Sequence, residues 1–144
     1  MRQDNIEKNL RETMERIKYI REMKAMLSKE EVSLSLPLMD DLWMVGNIYD
    51  LFLSYHKNRK SKMVQKQFIF IILYLYSPST LGGSKMRRGL RERIAEVLGC
   101  TCSNVSHDYK NISFYYTTYR TFRDDVNEIL HSMLKVLGLR KEDD

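Results

Sequence analysis

LRERIAEVLGCTCSNVSHDYKNI, residues 90–112, decides how this chain is read, because it spells a helix, a tight turn and a second helix in close succession. Ile94, Ala95 and Leu98 fall on one helical face, and the small side chain of Ala95 leaves room for a crossing helix. Gly99 follows the last apolar position of that face. A residue without Cβ takes positive φ there without strain, closing the first helix and turning the chain. Thr101 is placed to cap the free N–H groups of the second helix, with Cys100 and Val105 at the spacing of a hydrophobic staple across the cap. Val105, Tyr109 and Ile112 repeat at helical spacing, so their face is expected to be buried. Ser103, Asn104, Ser106, His107, Lys110 and Asn111 are then turned outward.

Immediately upstream, SPSTLGGS is the clearest loop in the chain, and it leads into KMRRGLRER, a basic approach that carries Lys85, Arg87, Arg88, Arg91 and Arg93. Downstream, SFYYTTY is aromatic and β-branched, and residues 113–119 are compatible with either a continued helix or a short ribbon. Thr121 with Asp124 has the spacing of a capping box, and Phe122, Val126, Ile129, Leu130, Met133 and Leu137 make an amphipathic helix over residues 121–137, ended by Gly138.

Further out, QFIFIILYLY is apolar at nearly every position, which suits a buried strand and a central helix equally. Its extension back through Met63 and Val64 exceeds a typical strand, and no other segment offers a sheet partner, so the reading is a buried central helix stopped before Pro78. Its aromatics lack interleaved arginine and belong to a core, not to a base-stacking surface. Before it, Asp40 or Asp41 starts a helix with Leu42, Val45, Ile48, Leu51, Phe52 and Tyr55 inward and Trp43 and Tyr49 at the margin. That helix gives way to a basic run containing Lys57, Arg59, Lys60 and Lys62, read as a solvated loop.

At the N-terminal end, Ile6, Leu10, Met14, Ile17, Ile20, Met23 and Leu27 recur every three or four residues among charges of both signs. Residues 4–27 are therefore an amphipathic helix, with Asp4 and Glu7 resembling a capping pair. Its stripe either packs on the rest of the chain or forms a seam with a partner helix. Residues 28–37 hold the alternating VSLSL and end at Pro37, which reads as an extended linker. The expected organisation is all-α: an N-terminal helix and linker (1–36), a helical domain (37–138) and a charged tail (139–144).

Composition bounds the function. The chain has 144 residues, enough for one core, and its 2 prolines and 6 glycines favour long helices over many short strands. A net charge of +5 permits a polyanionic partner without demanding one. Cys100 and Cys102 are too close for an easy disulfide and fit a reducing cytoplasm, and the charged start lacks an export signal's apolar core. The apolar run 68–76 is shorter than the roughly 20 residues needed to span a bilayer, so no membrane role is expected. Cys100, Cys102 and His107 do not make a zinc site, because Cys100 is needed inward, His107 points out and a fourth ligand is missing. Gly82-Gly83-Ser84-Lys85 lacks the upstream glycine and strand of a phosphate loop, and His56, His107 and His131 show no base and nucleophile arrangement. No enzyme, cofactor or metal is expected.

Residues 90–112 resemble the helix-turn-helix of bacterial and phage DNA-binding regulators, in which an Ile-Ala pair, a Gly four after the Ala and a Val-Ser-x-Asp-x-Lys run recur at this spacing. The resemblance implies a tri-helical unit whose first motif helix braces while the second lies in the major groove. It gives Thr101, Ser103, Asn104, Ser106, His107, Lys110 and Asn111 reading or positioning roles, and places Lys85, Arg87, Arg88 and Arg91 against the DNA backbone. Cys102, Ser103 and Asn104 stand where bulkier polar or basic residues often begin the reading helix, and no two-stranded wing follows. The expected function is a helix-turn-helix transcriptional regulator of bacterial, phage or mobile-element type acting on double-stranded DNA. The alternative is a phage assembly or DNA-packaging component that uses the same fold on a protein partner. Few base contacts from one reading helix lead to the expectation of a homodimer seamed by helix 4–27.

Overall fold

The computed structural model describes residues 2–56 and 61–139, and every regular element among them is helical. The chain divides into two compact units, residues 1–35 and 36–144. The basic residues Lys57, Arg59 and Lys60 and the tail 140–144 lie outside the described residues.

The first unit is one helix, α1 (Arg2–Leu34), of 33 residues, none of them buried. Asp4 lies in its first turn, and Glu7 pairs with Arg11 one turn on at 3.2 Å. The extended linker expected over residues 28–37 starts later than the sequence suggests: Val32, Ser33 and Leu34 are still helical, and only residues 35–37 lie outside the helix. A lone alternating segment has no strand to satisfy its backbone, whereas each further helical residue gains one hydrogen bond against a propensity penalty below about 0.7 kcal/mol. The helix stops at Ser35, whose amide and hydroxyl both donate to the Glu31 carbonyl, at 3.0 and 2.7 Å, and Pro37 forbids continuation.

The second unit is built round α3 (Lys62–Tyr76), which Ser61 caps by accepting from the Met63 amide at 3.2 Å. From Gln67 to Tyr76 only Tyr74 is exposed. A helix apolar on every side needs neighbours on every side, and α3 packs against all the other α-helices of this unit. Ahead of it, Asp41 accepts from the Trp43 amide at 2.9 Å and starts a 3-10 turn (Leu42–Met44) that runs into α2 (Val45–Leu53). Val45, Ile48 and Phe52 of α2 are buried, with the Phe52 ring centroid 5.4 Å from that of Phe68. Tyr55, expected inward, is 39 % exposed.

After α3 the loop is tighter than SPSTLGGS suggests: Pro78–Gly82 form a 3-10 turn, and the buried Ser77 and Thr80 hydroxyls bond each other at 2.8 Å. Then come α4 (Leu90–Leu98), α5 (Cys102–Lys110), α6 (Ile112–Thr118) and α7 (Arg120–Val136). Residues 113–119 resolve into α6 and the turn after it, set off from α5 by Asn111 at φ −105°, ψ 0°. Tyr116 anchors α6, stacking on Phe70 at 4.7 Å and donating to Asn127 of α7 at 2.7 Å. The capping box expected from Thr121 and Asp124 does not form. The N-cap is Tyr119, without a side-chain bond, and Asp124 pairs instead with Arg120 at 3.5 Å.

Candidate nucleic-acid interface

Two helices and the turn between them set the geometry. Gly89, at φ 85°, precedes α4, and a Cβ there would stand 3.3 Å from Leu42 Cδ1, so both the conformation and the packing favour glycine. Leu90, Ile94 and Ala95 are buried, and α4 packs closely on α5. At the end of α4, Gly99 takes φ 68°, ψ 34°, while its amide donates to the Glu96 carbonyl and the Cys100 amide to the Ala95 carbonyl at 3.0 Å. This Schellman pair satisfies carbonyls that the helix would otherwise leave open. Thr101 is extended (φ −85°, ψ 156°) and its hydroxyl accepts from the Asn104 amide at 3.2 Å, which starts α5 two residues after α4 has closed.

α5 is anchored by Val105, and Ile112 just beyond it is also fully buried, while Tyr109 is half-buried against the core. Ser103, Asn104, His107, Lys110 and Asn111 are exposed, and their side chains have no partner among the described residues. Ser106 is half-buried and accepts from the Arg91 guanidinium at 3.1 Å, a bond that brings α4 and α5 side chains together; Arg91 also reaches Glu92 at 3.6 Å. Lys85 and Arg88 are exposed on the approach to α4, again with side chains free among the described residues.

Arg87 does not join them. Its guanidinium donates to the Asp40 carbonyl at 2.8 Å and the Met39 carbonyl at 3.5 Å, and it lies 3.7 Å from the Asp40 carboxylate. It ties down segment 36–41, which is also held by the Leu38 and Met39 amides donating to the Leu75 carbonyl at 2.9 and 3.0 Å and by Tyr76 donating to the Asp41 carbonyl at 2.7 Å. Burial pushes the Tyr76 phenol up to about 12, with a smaller push in the same direction from the Asp41 carboxylate. Arg93 is used in the same way: it donates to the Leu42 and Trp43 carbonyls, pairs with Glu96 at 3.1 Å and lies 5.0 Å from the centre of the Trp43 ring. Thr101, expected at the interface, is exposed, and its hydroxyl accepts within its own cap while keeping its O–H as a donor.

Gly89 and the hydroxyls of Ser77 and Thr80 were not singled out by sequence reasoning. Gly89 stands directly before an apolar-periodic helix, a position from which its role was readable, whereas Ser77 and Thr80 are ordinary loop residues until the fold closes over them. Burial raises the Cys100 thiol, with smaller contributions from Asp108 and Cys102, which makes it a poor thiolate. A cleft of about 200 Å³ is lined by Tyr55, His56, Asp125, Glu128, Ile129 and Ser132, and includes no residue of α4 or α5. No helix among the described residues is long and apolar enough to cross a membrane. No protein-family model, curated protein or solved structure matches the chain.

Proposed function

We propose that the chain is a helix-turn-helix protein that binds double-stranded DNA, with α4 bracing α5 and α5 lying in the major groove, and that it acts as a transcriptional regulator. The observation that carries this reading is the division of α5 into two faces. Val105 holds one face in the core, and the other offers Ser103, Asn104, His107 and Lys110 unpaired to solvent beside Arg91 of the bracing helix. Helix α5 is only 9 residues long and ends on a basic residue, so its exposed face is short enough to fit within one groove segment.

Asparagine presents the donor and acceptor pair that matches the N6 and N7 edge of adenine, and serine and histidine bond to several base edges. The reading face therefore has base-contacting chemistry even without arginine. Lys85, Arg88, Arg91 and Lys110 supply the phosphate contacts, and Arg87 is left out because its guanidinium already serves the fold. Four neutralised phosphates give a slope of log affinity against log salt of about −3.6 on B-form DNA.

Duplex binding followed by fluorescence anisotropy over a series of salt concentrations tests the reading. The expected result is binding that weakens along that slope, with Asn104→Ala reducing the preference among duplex sequences more than it reduces overall affinity. Absence of duplex binding at low ionic strength would remove the proposal and leave a protein partner for the same face.

A further inference from the structure

Helix α1 extends for 33 residues without burying a single one, so its apolar stripe is open along its whole length. Ile6, Ile20, Leu27 and Leu34 are separated by multiples of seven, as are Leu10 and Ile17, and the two sets alternate in the three-and-four rhythm of a coiled-coil seam. Thr13, Lys24 and Glu31 occupy the remaining seam positions. These three polar residues decide which partner and which direction the seam accepts.

In a parallel pair of α1 helices in register, Lys24 faces Lys24 and Glu31 faces Glu31, while Arg16 approaches Arg21 across both flanks. Each is a like-charge contact. An antiparallel pair overlapping from end to end removes all of them. Leu10 of one copy then meets Leu27 of the other, Ile17 meets Ile20, Lys24 meets Thr13, and Glu31 meets Ile6 near the solvent-open ends of the overlap, each pairing occurring twice by symmetry. On the flanks Met14 packs beside the stem of Arg21, and Met23 beside that of Arg16. We infer that α1 is an antiparallel coiled-coil dimerisation helix whose occupant is a second copy of this chain.

The area agrees. The six apolar seam residues and the two flanking methionines are 37–72 % exposed in the single chain. At roughly 80 Å² newly buried per side chain, a pair covers about 1,300 Å², within the roughly 1,200–2,000 Å² of specific stable interfaces. The outward positions Lys8, Glu15, Glu22 and Lys29 balance in charge, unlike the basic polar face of helices that lie on anionic membranes. The inference concerns α1 alone and stands whether or not α5 binds DNA, because its test is made without nucleic acid.

Sedimentation equilibrium of the full chain at micromolar concentration is expected to give twice its 17.2 kDa mass. Ile17→Glu combined with Ile20→Glu should weaken the dimer at least about 100-fold, since charge enters the centre of the seam. Both residues are exposed in the single chain, so the melting transition of the second unit should be retained. Direction is read by mild oxidation of L10C chains mixed with L27C chains, followed by peptide mapping. The expected link joins residue 10 to residue 27, and neither variant alone should link through its new thiol. A single-chain mass, a dimer indifferent to the two glutamates, or self-linking of L10C would each overturn the proposal.

Discussion

At Gly99 the chain turns on a single backbone conformation. A Cβ there would meet nothing within 4 Å, so φ of 68° is what excludes other residues. Gly99→Val should therefore lower stability by about 1–3 kcal/mol, read from denaturant midpoints at unchanged slope. An unchanged midpoint would show that the turn relaxes elsewhere at little cost. Tyr76 makes a second residue-scale prediction. Its phenol is pushed up to about 12, above its ordinary value near 10, so in that window the unfolded chain loses a proton that the folded chain keeps. Stability should be whole below pH 10 and decline by roughly 2 kcal/mol as pH rises to 12. Tyr76→Phe should be less stable at neutral pH by about 1 kcal/mol, having lost its bond to the Asp41 carbonyl, and should lack that share of the alkaline decline.

At the scale of elements, neighbouring arginines separate into different roles. Arg87→Ala should cost about 1–2 kcal/mol of stability, because it frees segment 36–41, and should leave the salt slope of duplex binding as it was. Arg88→Ala, Lys85→Ala and Lys110→Ala should do the reverse, each flattening the slope by about one unit with stability unchanged. The sequence could not separate Arg87 from Arg88, because the carbonyls that hold Arg87 lie 47 and 48 residues away. By contrast, Gly99, Thr101 and Val105 were legible, since turn, cap and staple are decided within a few residues. The buried all-apolar α3 was legible by elimination of the strand. The end of α1 was not, because residues 32–36 carry the alternation of a strand and only the absence of a pairing partner overrules it. Likewise Thr121 and Asp124 had the spacing of a cap, yet backbone geometry placed the N-cap two residues earlier, at Tyr119.

At the scale of the whole molecule, every buried side chain among the described residues belongs to the second unit, so a chain beginning at residue 36 should fold with the thermal transition of that unit intact. Its far-ultraviolet dichroism should fall by the share of α1, and a loss of cooperative melting would mean that α1 supports the core after all. Feature by feature, the N-terminal helix shows the widest gap between what pattern announces and what burial delivers. A stripe on a helix announces that something covers it, and in the single chain that covering is missing from the first residue of α1 to the last. This has a consequence for the protein's turnover. Nearly every turn of α1 carries an unshielded lysine or arginine, the bond preference of common proteases, and a helix with nothing packed against it opens locally at little free-energy cost. If α1 pairs with a second copy as inferred above, survival of the N-terminal segment depends on how often it is paired, and the lifetime of the intact chain should lengthen as its own abundance rises.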